Sequence, residues 1–253
     1  MKDKKAKVLN LILPVITLAF IVSVWAVAAA AVNSEYILPS VYSTVERFFA
    51  LFKNAEFYLA FSLTLLRSLI AFLISFLSAF VLAVLTHKLP VTEKVVSTVI
   101  SVVRALPTIA IVLLVLFWTN SQIAPIIVTL LVVLPTSYTH LKSAFSSLDK
   151  TVIEAGWVDG ADEKRVFLHV EFPQVLPAIY SAIGSGISLN FKLMVAAEVL
   201  SQTANSIGYM LNTSKVYFEI AEMLALVCTA VIFGVAIEFI FNFLSKKSGS
   251  FKE

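Results

Sequence analysis

The chain has one cysteine, Cys228, and only three histidines, His87, His140 and His169, in 253 residues. A single thiol excludes an intramolecular disulfide, and its setting in an apolar run gives it the character of a small buried hydrophobe. The histidines fall at predicted membrane boundaries or in a polar interval, with no HExxH and no closely spaced cysteines beside them, which excludes a metal set of the familiar kind. GxxxxGK[ST] is absent, and with it the usual phosphate loop for a nucleoside triphosphate. No serine–histidine–acid arrangement follows from the spacing. Gly184-Ser185-Gly186 lies inside an apolar run, where small residues serve close helix packing rather than a nucleophile elbow. Basic residues are scattered and form no compact aromatic–basic surface, so nucleic acid is not an expected partner. Charge is scarce as well: 14% of residues, against ~25% in soluble domains. These absences leave a conduit or scaffold whose energy source lies elsewhere.

What is present in excess is hydrocarbon. Hydrophobic residues make up 59% of the chain, and mean hydropathy is +0.94. The apolar residues come in repeated runs of about 20, the length that crosses ~30 Å of bilayer as a helix. After a basic start, MKDKKAK, the first run extends from Val8 to Val32. It exceeds the 7–15 apolar residues of a secretory signal, so a retained transmembrane helix is expected rather than a cleaved one. Val41, Val45, Phe48, Phe49 and Phe52 then share one helical face after Pro39, which predicts a short interfacial helix. A second span covers Phe57–Thr86, closed by His87-Lys88-Leu89-Pro90. An amphipathic interval follows over Val91–Val103. Pro107 then kinks or restarts a third span at about 101–119. Ser121 and Gln122 make a tight turn into a short fourth span, Ile123–Tyr138, which contains Pro125 and Pro135. Ala178–Val199 and Ile220–Leu244 are spans five and six. Between them Ser201–Tyr217 reads as polar and loop-like, with Ile207–Leu211 apolar enough to dip back toward the membrane. The tail from Ser245 is hydrophilic. No internal repeat stands out.

Six spans put both termini on one side. That side carries thirteen Lys and Arg: four in the basic start, then Lys88, Lys94, Lys142, Lys150, Lys164 and Arg165, and three in the tail. The other side carries Arg47, Lys53 and Lys215, while Arg67, Arg104 and Lys192 lie in or beside spans. The excess of positive charge places both termini, and the interval 140–173, in the cytoplasm.

Within that interval, EAGWVDGADEKRVFLHVEFP (Glu154–Pro173) is the most charged stretch between apolar blocks. It has the outline of a short amphipathic helix from about Thr151 to Val158, a glycine turn at Gly160, and a second helical piece ending at Pro173. Ala155 and Gly156 have minimal side chains and permit close approach to a partner. A polar segment of this kind between spans reads as a surface that touches another protein.

The same stretch resembles the EAA loop of importer-type ABC transporter permeases, whose pattern is Glu-Ala-Ala, three residues, Gly, nine residues, then Ile-x-Leu-Pro. Glu154, Ala155, Gly160 and Pro173 match, Gly156 replaces the second alanine, Val170 the isoleucine and Phe172 the leucine. The flanks 102–120 and 171–211 are similar to the third-helix and fifth-helix regions of the nitrate/sulfonate/taurine type, and the likeness covers most of residues 60–244. The resemblance implies an all-α polytopic membrane protein with six transmembrane helices in the type I ABC importer permease fold, short amphipathic helices and a cytoplasmic coupling helix. It implies ATPase-coupling roles for Glu154, Ala155, Gly156, Gly160, Ala161 and Pro173. Its implied partners are a second permease copy, two cytoplasmic ATP-binding subunits that hold ATP and Mg, and an extracytoplasmic solute-binding protein. The chain itself would hold no cofactor and would not hydrolyse ATP. The expected location is the bacterial cytoplasmic (inner) membrane, in contact with the lipid bilayer. The expected divisions are 1–56, an N-terminal helix with the outer interfacial helix; 57–244, the core with its coupling segment 140–173; and 245–253, the tail.

Ionisable groups at membrane depth are expensive and often line a path. Arg104 and Glu238 lie near predicted cytoplasmic ends and Glu222 near an outer one, whereas Arg67 and Lys192 are deeper. Arg67, Ser188, Asn190, Lys192 and Glu198 are therefore the candidate pathway or gate residues. Lys192 has the alternative of an ion pair with Glu198, although six residues separate them and they do not share a helical face. Two deep cations favour an anionic cargo such as a sulfonate, taurine or nitrate, while the family likeness also admits a vitamin precursor. The competing expectation is a secondary transporter or membrane scaffold working without an ATPase.

Overall fold

The computed structural model describes the backbone of residues 2–249 and the side chains of residues 12–245. The side chains of the basic start and of the tail from Lys246 lie outside the described residues. Among the described residues the chain is all-α, with eleven α-helices and one π turn. It divides into two compact units, Met1–Tyr58 with Met210–Thr229, and Leu59–Tyr209 with Ala230–Glu253.

In the first unit, α1 (Lys2–Val32) leads through a short turn into α2 (Val41–Leu51). Ser40 caps α2, its Oγ accepting the Ser43 amide at 3.1 Å, and Trp25 Nε1 donates to the Pro39 carbonyl at 3.0 Å. Phe48 and Phe52, from the expected apolar face, continue edge to face into Phe57 and Tyr58, with ring centroids 5.2–5.7 Å apart. Arg47 of α2 reaches Glu222 at 3.9 Å. Only 6% of the apolar window of α1 is buried, so this helix offers its surface to a nonpolar surrounding.

The second unit is organised by α3 (Ala55–Lys88), α6 (Ala124–Ser146) and α9 (Phe172–Ser201), with α6 and α9 packed along their length. One core joins Ala79, Ala83, Tyr138, Leu141, Phe145, Val175 and Ile179; a second joins Ile111, Val112, Val115, Ala124, Val128 and Ala197. The third sequence span is two helices, α4 (Pro90–Ala105) and α5 (Thr108–Trp118), bent by 92°. Pro107 forces Leu106 into extended backbone (ψ 129°), and that residue breaks the helix. α5 alone rises ~17 Å, well short of the bilayer core. Five helices are long and apolar enough to span, and the bent pair would make a sixth.

Three boundaries differ from those read in the sequence. The fourth span does not end at Tyr138: α6 continues to Ser146, because Pro135 removes only one backbone bond and Thr139 Oγ1 turns back to its carbonyl at 2.9 Å. Pro173 does not end a helix; it follows directly on a π turn inside one continuous helical run, Glu163–Ser201, and the widened turn before it accommodates the missing N–H. The π turn Phe167–Glu171 joins α8 (Glu163–Val166) directly to α9. Finally, the supposed loop 201–217 contains α10 (Ile207–Val216), started by Ser206 Oγ accepting the Tyr209 amide at 2.9 Å. The last helix, α11 (Ile220–Gly249), runs through the break between the two units.

Candidate functional site

The polar stretch forms α7 (Lys150–Val158), in which no residue is buried. Asp149 caps it by accepting the Thr151 amide at 2.9 Å, and the Asp149 amide donates to Gln174 Oε1 at 3.1 Å, tying the start of α7 to the start of α9. Glu154 and Ala155 are exposed on its free surface. Gly156 faces inward, and a Cβ there would lie 3.5 Å from Val166 and from Val170, ordinary contact distance. Gly160 has φ +78°, and this left-handed residue lets the Ala161 amide donate to the Gly156 carbonyl at 3.2 Å and stop the helix. Asp162 then caps α8 through the Arg165 amide at 2.9 Å. Ala161 is half-buried and Pro173 exposed.

A charged latch ties this segment to the end of α3. Glu171, 4% exposed, receives His87 Nε2 at 3.2 Å and Lys88 Nζ at 3.4 Å. Lys88 also reaches Glu163 at 3.5 Å and lies over the Phe167 ring at 5.0 Å. The sequence reading treated His87-Lys88 only as the close of a span. The signal available was the pairing of a basic helix end with the one acidic residue just before Pro173.

A second polar cluster lies at the opposite ends of these helices. Glu198 is fully buried; its carboxylate accepts Thr64 Oγ1 at 2.9 Å, Arg67 Nη1 at 3.1 Å and the Gly208 amide at 3.4 Å. Arg67 Nη2 donates to Gln122 Oε1 at 2.6 Å, and Thr64 Oγ1 accepts the Ile207 amide at 3.0 Å. Gly208 permits this approach: a Cβ there would fall on Glu198 Cβ and within 2.5 Å of the Val199 amide nitrogen. One clasp thus joins α3, the turn before α6, α9 and the start of α10. Glu198 takes Arg67 as its partner rather than Lys192.

The five candidate pathway residues therefore occupy three places. Arg67 and Glu198 form the clasp. Asn190 is fully buried and donates through Nδ2 to the Ser68 carbonyl and hydroxyl, at 2.7 and 2.6 Å. Ser188 and Lys192 line a cleft of about 270 Å³ between α6, α9 and α11, together with Thr136, His140 and Glu238. Arg104, also flagged by its charge, donates to Thr139 Oγ1 and the Pro135 carbonyl of α6. Among the described residues no group of His, Cys, Asp or Glu is arranged to hold a metal ion.

Spanning apolar helices around buried polar clusters, with a charged helical segment held outside the apolar runs, define a polytopic membrane transport component. Residues 79–248 match the family described as binding-protein-dependent transport system inner membrane component, and the chain belongs to that family. It is accordingly a non-catalytic, multi-pass permease subunit of a multi-subunit ABC importer of the bacterial inner membrane. A permease protein of Escherichia coli (strain K12) named for aliphatic sulfonates transport, SsuC, is 28% identical over 202 residues, 79% of this chain and 76% of that one. The riboflavin transport system permease protein RibX of Chloroflexus aurantiacus is 21% identical over 128 residues, half of this chain and 47% of that protein. The fold is shared with a chain of the MetNI methionine ABC transporter at TM-score 0.63 and 17% identity, covering 76% of this chain and 93% of that one. It is shared more fully with a chain of a bacterial alginate ABC transporter, at TM-score 0.67 and 15% identity over 97% and 96% of the two chains.

Proposed function

We propose that two copies of this chain form the translocation pathway of an ATP-driven importer and that α7 couples the pathway to two separate cytoplasmic ATP-binding subunits. Those subunits bind ATP and Mg; a solute-binding protein delivers cargo from the other side. The observation that carries the reading is α7 itself: a capped helix with no buried residue that presents Glu154 and Ala155 between two spans. The Lys88–Glu171 and His87–Glu171 contacts give its movement a route into α3. In this reading α4 and α5 together are one broken span, so there are six, with both termini in the cytoplasm as the charge asymmetry requires. Residues 57–244 are the permease core, 1–56 a peripheral helix pair and 245–253 a tail. Glu154, Ala155, Gly156, Gly160, Ala161 and Pro173 act in coupling. The cargo is a small solute with an anionic group, of the sulfonate, taurine or nitrate kind, in preference to a vitamin precursor, in keeping with the relative named for aliphatic sulfonates.

The test is Glu154→Lys in the complete complex, with co-purification of the ATP-binding subunits and ATP-dependent uptake both measured. Loss of either, with α-helical content and membrane insertion unchanged, is the expected result. Normal association together with normal uptake would sink the coupling role. Flux driven by an ion gradient in vesicles lacking the ATP-binding subunits would support a secondary transporter instead.

A further inference from the structure

Hydroxyl groups on the spanning helices of this chain are treated in two different ways. On α1, which meets a nonpolar surrounding, Thr17 Oγ1 donates back to the Leu13 carbonyl at 2.9 Å and Ser23 Oγ to the Ala19 carbonyl at 2.8 Å. One face of the α6–α9 pair lacks that protection. His140 and Ser143 of α6 are exposed there and Ser181 of α9 is half-buried, and none of the three side chains makes a hydrogen bond among the described residues. Lys192, exposed further along α9, takes part in no ion pair within 4.0 Å among the described residues. These residues belong to one track. Thr136, His140, Ser143 and Ser147 recur at helical spacing on α6, and Ser181 and Ser185 stand across from them on α9. Between the two helices runs a groove of about 360 Å³, and it shares His140 and Ser185 with the deeper cleft that Lys192 lines. The groove is more than a helix end standing in water. α9 begins at Phe172, next to the Glu171 latch at the end of α3, and Ser181 and Ser185 lie ~14 and ~20 Å further along its axis. At that depth a polar side chain without a partner is costly against hydrocarbon.

We infer that this face of α6 and α9 lines the cytoplasmic half of the solute path, as a water-filled groove leading from the cleft of Lys192 to the start of α7. The inference rests on the permease reading above and fixes which side of the helix pair the path takes. Lipid against this face would leave His140, Ser143 and Ser181 unsatisfied, and α1 shows how the chain shields a hydroxyl in that setting. An apolar helix of a second copy would strip water from His140 and Lys192, whose side chains have no partner of their own among the described residues. Water satisfies all four. The chemistry of the lining suits an exit: neutral hydroxyls offer a passing solute successive hydrogen bonds without a charge that would hold it. The mouth of the groove is also placed for control. Ser147 follows directly on α6, and the Asp149 amide donates to Gln174 Oε1 at 3.1 Å, tying the two walls together beside the start of α7. The helix that meets the ATP-binding subunits in the reading above therefore borders the exit it would open and close.

The test is thiol labelling of the complete complex in inside-out membrane vesicles, which present the cytoplasmic face. Cys228→Ala removes the single thiol of the chain. Ser143→Cys, Ser181→Cys and Ser185→Cys are then made one at a time, with Ser23→Cys on α1 as the lipid-facing reference. Co-purification of the ATP-binding subunits shows that each variant assembles, and three groove positions keep the test open if one of them does not. The reagent is a membrane-impermeant cationic methanethiosulfonate. It attacks a thiolate, which forms in water and not in hydrocarbon, so the groove positions are expected to react about tenfold or more faster than the reference. ATP with vanadate should slow the groove positions and leave the reference unchanged. Labelling no faster than at Ser23→Cys overturns the inference. So does disulfide formation between copies at the groove positions without labelling, which would make this face an interface between two copies. Fast labelling that ignores ATP and vanadate overturns it too, since a standing crevice is not a path. The two levels of failure separate: an assembled complex with an unlabelled groove removes this inference alone, whereas a chain that binds no ATP-binding subunit removes the importer reading beneath it.

Discussion

Substitution of Glu198 by Met keeps the side chain's length and removes its charge. Arg67, 12% exposed at its side chain, would then hold only Gln122 and face the emptied site with an uncompensated guanidinium. Breaking a buried pair from one side costs ~3–5 kcal/mol, because the surviving charge remains desolvated. Arg67→Met should cost a similar amount, leaving the Glu198 carboxylate with Thr64 and the Gly208 amide alone. The double variant should recover most of the loss, since apolar residues of similar size in place of a buried pair are neutral or stabilising. The assay is equilibrium unfolding in mixed micelles, read by tryptophan fluorescence and arranged as a double-mutant cycle. Against a total stability of ~5–15 kcal/mol, either single variant removes a large share. Single losses under ~1 kcal/mol, the range of an exposed pair, would refute the clasp as a stabilising element. Strict additivity in the double variant would refute the coupling between the two residues.

Two further outcomes follow from the backbone and the loops. Gly156→Ala should stabilise α7 by ~1 kcal/mol, since the added methyl meets Val166 and Val170 at contact distance, whereas Gly160→Ala should destabilise it by ~1–2 kcal/mol of left-handed strain; hydrogen exchange across 150–161 separates the two. Glu35 accepts from Ser43 Oγ at 2.8 Å and from the Ser40 amide at 3.3 Å, and the Ser43 hydrogen bond, the largest cause, holds its carboxyl below the usual carboxylate range. Its contribution to the α1–α2 turn is therefore complete above the unfolded value of ~4.3 and lost as pH falls through the folded value. Ser43→Ala should raise the Glu35 pKa in carbon-detected NMR; an unchanged titration would show that this hydroxyl does not matter.

The spans, the short helix after Pro39 and the helix at about 151–158 were legible because each depends on local pattern: run length, helical period and a positive-φ glycine. Boundaries were less so where proline was involved. Pro107 broke a helix while Pro135 and Pro173 did not, and the difference lies in neighbours that no periodicity reports: Leu106 takes extended backbone, Thr139 closes back on Pro135, and Pro173 follows a π turn. Polar partnerships across helices were the least legible. Arg67 and Glu198 stand 131 positions apart, and Glu171 is 83 positions from Lys88. Each residue was conspicuous alone, but only the packing of α3 against α9 and the π turn decides who meets whom.

That decision changes the inference about cargo. Two deep cations, Arg67 and Lys192, read from sequence as an anion path. In the folded chain one of them is neutralised by a fully buried carboxylate, and the other shares its cleft with Glu238. The number of charges at membrane depth is unchanged, but their meaning is set by distance: a pair at 3.1 Å is architecture, and Arg67 no longer counts as a free cation facing a path. The same substitution therefore has different expected readouts at the two places. Neutralising Glu198 should lower stability, while neutralising Glu238, half-buried and in no ion pair within 4.0 Å, should leave it nearly unchanged.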